Sequence, residues 1–440
     1  MPQRVRAPSP RLQRIADHGV VGAGGAGFPT HVKLAASAAC IILNAAECEP
    51  LLHKDKEILR HYPREVLAGL CAAAECVGAA EIAVGIKAKY SDVIESLAPL
   101  LPAGARIVPL SDTYPSGDEF ILVYDVKRRI IPPGGLPLAV GCVVINVETA
   151  YNIARDAPVT EKFLTVGGAV ANPCTLRVPV GISFREALEL AGGATVDDPR
   201  VLAGGVMMGQ LVALDDPITK TCGGMIVLER EHMLIRRYGR DWKQIARIGA
   251  SACDQCSFCT ELCPRYLLGH PIEPHKAMRA LGFVQDRAPT VRGTQFCCEC
   301  NLCTLIACPE DLDPRSVCAH NKRRLAAEGQ RWQADAHPYR AALLLDSRRV
   351  PIGRLINKLG LRRFRNQGPL LEKALRPRRV VLPLKQHAGA PAQPVVRSGT
   401  RVKVGELLAR PVDGTLGARI HASLAGVCEV RPDCIVISAG

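Results

Sequence analysis

Cysteine is arranged in this sequence as iron chemistry would require. Cys253-Asp-Gln-Cys256-Ser-Phe-Cys259-Thr-Glu-Leu-Cys263-Pro264 has the spacing C-x2-C-x2-C-x3-C-P, and Cys297-Cys298-Glu-Cys300-Asn-Leu-Cys303 followed by Cys308-Pro309 nearly repeats it. Three thiolates on one tight loop can grip three irons of a [4Fe–4S] cubane, and where two such runs occur the fourth Cys of each serves the other cluster. Cys253, Cys256, Cys259 and Cys308 are therefore expected to hold one cluster. Cys297, Cys300, Cys303 and Cys263 are expected to hold the second. Four residues rather than three separate Cys303 from Cys308, which predicts a bulge before Pro309. Cys298 is surplus to the second triplet, or replaces Cys297. Structural zinc and disulfides are the competing readings. Two consecutive triplets, each followed by Cys-Pro, fit them poorly.

A second candidate site lies near the start of the chain. Gly19-Val-Val-Gly22-Ala-Gly24-Gly25-Ala-Gly27-Phe28-Pro29-Thr30-His31-Val32-Lys33 contains a formal G-x-G-x-x-G. No good strand precedes it, so the usual dinucleotide-fold setting is missing and a plain flexible loop is the alternative. Glycine at these points lets backbone approach a ligand closely and turn N–H groups toward an anion. Thr30 is expected to cap a following helix whose N-terminus favours phosphate, with Lys33 one turn in.

The elements around these motifs alternate. Ile41 to Leu43 reads as a buried strand that ends in the acidic turn Asn44-Ala-Ala-Glu47-Cys48-Glu49-Pro50. A helix is expected over about 54–77, then a strand at 81–86 ahead of Lys87 and Lys89, a helical stretch at 90–101 and a strand at 105–110. Tyr114-Pro-Ser-Gly117-Asp118-Glu119 is a turn. Val143 to Val147 is a strand whose end, Asn146-Val147-Glu148-Thr149, opens a helix. Asn44, Glu47 and Glu49 thus fall at the carboxyl end of a strand, where α/β folds bind ligands.

The totals bound what this chain can be. Its 440 residues with 48% hydrophobic content can bury several cores, and three or four domains are expected. No secretory h-region or apolar run of about 18 residues is seen, so no transmembrane segment is expected. The 19 cysteines point to a reducing cytosol. The net charge is +14, much of it arginine after residue 320. Aromatics are 4%, which argues against base-stacking platforms, so no nucleic-acid partner is expected.

The stretches GAGGAGFPTHVK, NAAECEP, YPSGDE and NVET resemble the flavin-binding domain shared by the NADH-oxidising flavoprotein subunit of respiratory complex I and the C subunit of Rnf electron-transport complexes. The resemblance implies FMN, with NADH stacked above it. It puts Gly24, Gly25, Gly27 and Lys33 at the phosphate and has Asn44, Asn146 and Thr149 hydrogen-bond the flavin. Glu47 and Glu49 would lie near the ring and the nicotinamide ribose, and Gly117 to Glu119 would close the pocket. No side chain is expected to act as an acid–base catalyst. Glu-Cys-Glu-Pro and Tyr-Pro-Ser-Gly-Asp-Glu depart from the complex I form.

The rest of the chain extends the resemblance. Two strands around Asn172-Pro173, a helix capped by Ser183 and a strand from Val201 to Val206 resemble the β-grasp, soluble-ligand-binding domain of the same families. Met207 and Met208, in a glycine-rich turn, read as packing rather than metal ligands. His270 and His275, between the cysteine runs, read as loop residues. Residues 319–379 are rich in arginine and suggest two amphipathic helices in a solvated basic linker, with an acidic protein or phosphate-bearing ligand as the alternative partner. Residues 380–440 resemble the barrel-sandwich module of Rnf C subunits, where it precedes the flavin domain; here it follows the clusters. Residues 1–18 read as a solvated tail or a short docking helix (Val5, Leu12, Ile15).

The expected fold is multidomain α/β. It comprises an α/β flavin domain (1–158), a β-grasp domain (159–235), a helical ferredoxin-like two-cluster domain (236–330), a basic helical linker (331–379) and an all-β barrel-sandwich module (380–440). That order resembles the cobalamin reductases of propanediol-utilisation microcompartments. It implies an oxidoreductase that passes electrons from NADH through FMN and two [4Fe–4S] clusters to cobalamin, taking cob(III)alamin and cob(II)alamin toward cob(I)alamin. Adenosyltransferase and microcompartment shell proteins are the implied partners, and the interior of a bacterial microcompartment is the implied site. The alternatives are an electron-entry component of an Rnf-type membrane complex and a non-enzymatic redox scaffold.

Overall fold

The computed structural model describes residues 9–282, 288–332, 338–372, 375 and 377–440. Val5 of the N-terminal segment and Arg376 of the basic segment lie outside them. Helix α1 (Pro10–Asp17) begins with Pro10 behind a Ser9 cap, whose hydroxyl accepts from the Leu12 N–H at 3.3 Å. It is neither a solvated tail nor a partner-docking helix, because Leu12 and Ile15 are buried in this chain's own first core.

That core is built on a parallel sheet. After α2 (Thr30–Leu34) come β1 (Cys40–Ala45), α3 (Lys54–His61), α4 (Pro63–Val77), β2 (Glu81–Lys87), α5 (Ser91–Leu97), β3 (Ala105–Leu110), β4 (Thr113–Tyr114), α6 (Glu119–Lys127), β5 (Cys142–Asn146) and α7 (Val147–Arg155). The sheet order is β3-β2-β1-β5. β1 is apolar throughout its first four residues because both of its faces are covered. Ile41 and Leu43 pack with α1, α3, α4, α5 and α7, whereas Cys40 and Ile42 pack under α6. The helix expected over 54–77 is divided in two. Pro63 has no N–H and pushes Tyr62 out of helical geometry (φ −132°, ψ 45°).

The chain moves outward through β1, β2 and β3 and then returns to the far side of β1 for β5. A crevice therefore opens between the carboxyl ends of β1 and β5. The register pairs Asn44 with Asn146 across it.

β6 (Glu161–Gly168) and β7 (Cys174–Pro179) form an antiparallel pair. α8 (Phe184–Leu190) follows, held by a reciprocal Ser183–Glu186 capping box, and then β8 (Pro199–Ala203), β9 (Gln210–Val212) and β10 (Gly224–Glu229). This is the expected β-grasp. The C-terminal module consists of a four-stranded and a three-stranded sheet, and its Val380, Leu382, Ile435 and Ile437 share one core with Leu164, Leu176 and Val227 of the β-grasp.

The arginine-rich segment differs from a solvated linker. Among its described residues the helices are Pro314–Ala327, which leads into it, and the short Ile352–Lys358. Between and beyond them it is strapped to other domains. Val350–Pro351 pairs with β4, and Leu370–Leu371 pairs with β7. Arg349 makes two bonds to Asp125, at 2.8 and 2.5 Å, with both side chains nearly buried. Arg348 pairs with Glu261 and Arg363 with Glu229. Among the described residues no helix is long and apolar enough to cross a membrane.

Candidate functional site

The glycine loop is a hairpin tip. Its stem is closed by Gly22 N–H to the Phe28 carbonyl (2.9 Å) and Thr30 N–H to the Val20 carbonyl (3.1 Å). Ala23 N–H donates to Thr149 Oγ1 at 2.9 Å, which hangs the loop on the N-terminus of α7. A Cβ on Gly24 would lie 3.5 Å from that of Asn146, so the loop sits at the crevice. Gly25 has φ +120° with open space in front of it, the geometry a closely approaching ligand needs. Thr30 is not a cap: it is the first residue of α2, Pro29 holds the cap position without a side-chain bond, and α2 has only five residues. Lys33 Nζ donates to Glu119 Oε1 (3.0 Å) and the Val144 carbonyl (2.9 Å), which joins two of the residues expected at the flavin to each other.

Both asparagines position other elements. Asn44 Nδ2 donates to the Gly117 carbonyl at 2.8 Å and holds the 114–119 turn over the crevice. Asn146 Oδ1 caps α7 through Glu148 N–H (3.0 Å), and its Nδ2 donates to Asp55 Oδ2 (2.8 Å). Asp55 leads into a network that residue types alone did not point to. Lys54 pairs with Asp55 at 2.6 Å and Glu148 at 3.1 Å, and Glu148 also pairs with Lys162 of β6. All four are buried. Burial by itself would push the Lys54 ammonium down; the carboxylates of Asp55 and Glu148 outweigh it and hold it up. The buried charges fix the amide of Asn146 at the crevice wall.

The two acidic residues separate in role. Glu47 Oε1 accepts from Glu49 N–H at 3.1 Å, and burial followed by the Asp55 charge raises its pKa. Glu49 accepts Met207 N–H (2.9 Å) and Met208 N–H (2.8 Å), one on each oxygen, so it ties the flavin crevice to the β-grasp turn. Met207 is fully buried and Met208 half exposed.

The cysteine loops share a backbone signature. Gln255 and Ser257 in the first run, and Glu299 and Asn301 in the second, have φ between 59° and 67°. Each pair brackets the middle Cys of its triplet, which aligns Cys253, Cys256 and Cys259 with Cys297, Cys300 and Cys303. Residues 303–307 form a π-helical turn, which accommodates the extra residue before Cys308 as the predicted bulge. N–H groups reach sulfur from Gln255 side chain to Cys253 (3.1 Å), Glu299 to Cys297 (3.4 Å) and Leu312 to Cys308 (3.4 Å).

The thiols of the two runs crowd one another. Burial, then the charges of Cys253, Cys256 and Cys308, push Cys259 up to about 12. Burial, then Cys298 and Cys297, push Cys263 up to about 12, and Cys303 feels Cys297, Cys263 and Cys259, beside which it packs. Thiols crowded this way are poor thiolates until a cation compensates them, and the donor set fits iron–sulfur clusters. Among the described residues no three such side chains converge on a single metal ion. A cubane does not ask for that, since each thiolate binds its own iron. Cys318, buried and close enough to Cys297 for the two thiols to perturb each other, is a further thiol that the spacing did not single out. His270 instead contacts the Ile131 carbonyl through Nε2 (2.9 Å), and His275 Nδ1 contacts Thr260 Oγ1 (2.7 Å).

The crevice and the second set are joined directly. Tyr114 Oη donates to the Cys300 carbonyl at 2.8 Å. Asn301 Nδ2 donates to the Met207 carbonyl and Tyr238 Oη, both at 3.1 Å, which links the same loop through Met207 to Glu49.

Four family models match successive parts of the chain. Residues 15–155 match the Nuo51 FMN-binding domain, 163–211 the SLBB domain, 252–313 a 4Fe–4S dicluster domain and 362–437 the RnfC barrel sandwich hybrid domain. The chain is 33% identical over 265 residues to the C subunit of the Na(+)-translocating ferredoxin:NAD(+) oxidoreductase complex of Acetobacterium woodii, covering 58% of this chain and 57% of that one. It is 42% identical over 435 residues to the cobalamin reductase PduS of Citrobacter freundii, covering 97% and 96% of the two chains. With the PduS of Salmonella typhimurium it shares 44% identity over 421 residues, covering 94% of this chain and 93% of that one. At that identity, over nearly the full length of both proteins, the chain belongs to the cobalamin reductase PduS family.

Proposed function

We propose that this protein is an NADH-dependent cobalamin reductase that takes cob(III)alamin and cob(II)alamin toward cob(I)alamin. The observation that carries the proposal is the Tyr114–Cys300 bond, which sets a crevice suited to a flavin against a loop suited to a cluster. Bound FMN would supply the exchange between a two-electron hydride donor, NADH, and one-electron acceptors such as iron–sulfur clusters and cobalamin.

The chain's own residues bind and orient. Gly24, Gly25 and Gly27 offer backbone to the FMN phosphate, with Lys33 as the nearby cation once it leaves Glu119. Asn44, Asn146 and Thr149 set the crevice walls through Gly117, Asp55 and Ala23. Gly117 and Glu119 close the turn above them. Glu47 lies toward the ring. Glu49 is proposed near the nicotinamide ribose, with its carboxylate held by the β-grasp turn. Cys253, Cys256, Cys259 and Cys308 hold one [4Fe–4S] cluster; Cys263, Cys297, Cys300 and Cys303 hold the other. The five-part division at 158, 235, 330 and 379 belongs to the same reading. So does a place in the cytoplasm inside a propanediol-utilisation microcompartment, with an adenosyltransferase and shell proteins as partners.

The test is anaerobic: NADH is added to reconstituted protein with hydroxocobalamin, and the visible spectrum is followed. Flavin bleaching with cobalamin reduction, and a Cys256→Ala protein that bleaches flavin without reducing cobalamin, supports the reading. Flavin bleaching with cobalamin untouched favours instead an electron-entry role like that of the Rnf C relatives.

A further inference from the structure

One buried charge has no part in holding either cofactor. Arg265 follows Cys263 and Pro264 on the short helix Pro264–Leu267 and is 6% exposed. Its guanidinium grips the Asp118 carboxylate twice, Nη1 to Oδ1 at 2.5 Å and Nη2 to Oδ2 at 2.8 Å, and sits 3.8 Å from the centroid of Phe120. A planar fork on a carboxylate fixes orientation as well as distance, which a lysine could not do. Asp118 is immobilised in turn, because it caps α6 by accepting from Phe120 N–H (3.0 Å) and Ile121 N–H (3.3 Å). Cys263 caps that short helix and is itself buried, so the guanidinium shares one turn with a thiol of the second set.

The turn 114–120 therefore holds both segments that carry the second thiol set. Tyr114 bonds Cys300, and Asp118 bonds the residue two beyond Cys263. The first set has other attachments: Thr260 on His275, Asp254 on the Cys256 N–H, and Glu261 on Arg348 of the arginine-rich segment.

We propose that Arg265, fixed by Asp118, is a positioning and charge-tuning residue of the second thiolate set, and that it raises the reduction potential of the cluster held there relative to the cluster of the first set. The inference rests on the proposed function, in which both sets hold clusters. Reduction adds negative charge to a cluster, and a fixed cation in a poorly screened setting stabilises that charge. Asp118 carries the opposite charge and opposes this. Removing the arginine and removing the aspartate charge must therefore move the potential in opposite directions, which loss of packing alone would not do.

The experiment is an EPR-monitored redox titration of the full-length anaerobic protein. Arg265→Gln is expected to lower the potential of the second cluster, Arg265→Lys to lower it less, and Asp118→Asn to raise it. Asparagine still caps α6. The first cluster is expected to stay where it is. Shifts in one common direction, or equal shifts in both clusters, overturn the proposal. If Arg265→Gln sheds iron, Asp118→Asn decides: an upward shift supports the proposal and an unmoved potential overturns it. A wild-type protein that holds no iron or labile sulfide overturns the cluster reading itself, and the iron assay tells that failure from the other.

Discussion

Tyr114 donates its buried hydroxyl to the backbone carbonyl of Cys300 at 2.8 Å, so the turn held over the flavin-domain crevice is bonded to the loop carrying Cys297, Cys300 and Cys303. Tyr114→Phe keeps the ring and leaves that carbonyl without its donor in a dry contact. The cost of such an orphaned group is about 1–3 kcal/mol. The thermal midpoint is expected to fall and iron to be released earlier on warming, read by circular dichroism and an iron assay on the same samples. An unchanged midpoint with unchanged iron release would mean that the bond does not couple the two regions.

Gly27 has φ +63°, and a Cβ there would meet Thr221 Cγ2 at 2.7 Å and His387 Cα at 3.1 Å. Ala388 N–H also donates to the Gly27 carbonyl at 3.0 Å, so the C-terminal module presses on the glycine loop. Gly27→Ala combines left-handed strain of about 1–2 kcal/mol with this clash. The expected result is loss of FMN at normal iron content, measured by flavin fluorescence after denaturation and by iron assay. Full flavin occupancy would show that the loop tolerates the displacement.

The parts legible in the sequence were those whose cause is local. Cysteine spacing marked both runs and the extra residue before Cys308, which the π-helical turn at 303–307 absorbs. Alternating apolar runs marked β1, β2, β3 and β5. The unread parts depend on partners far along the chain. Lys54 and Lys162 look like ordinary surface lysines until Glu148 is placed between them. Arg349 belongs to a basic run that reads as solvated, and its partner Asp125 lies 224 positions away. Thr30 resembled a cap because it precedes a helical pattern. Pro29, already at the cap position, makes Thr30 the first helical residue instead.

Burial pushes the Glu49 carboxyl up to about 8 from an ordinary 4.5, against the downward pull of the Met207 and Met208 N–H groups. Between those values the folded chain keeps a proton that the unfolded chain has released. Stability must then fall as pH rises through that window. Glu49→Gln cannot ionise and lacks this slope. The stability of wild type relative to Glu49→Gln is therefore expected to decline from pH 5 to pH 8, measured by urea unfolding at stepped pH. A flat difference would mean that the two N–H bonds hold the carboxylate ionised in spite of its burial.

Cys297 and Cys298 compete on spacing for one ligand position, and the backbone separates them. In the first run the left-handed residues Gln255 and Ser257 stand two and four positions after Cys253; in the second, Glu299 and Asn301 stand two and four positions after Cys297. The match holds only if Cys297 is the counterpart of Cys253. Glu299 N–H also reaches Cys297 Sγ at 3.4 Å, the kind of bond that stabilises a thiolate on a cluster. Cys297→Ala is accordingly expected to lose one cluster, about half of the iron and labile sulfide on the two-cluster reading, with the EPR signal of the other cluster intact. Cys298→Ala is expected to keep both. The reverse pattern would assign Cys298 as the ligand. If each single variant kept both clusters and only the double variant lost one, either thiol could occupy the position, and the shared backbone signature would not be what selects between them.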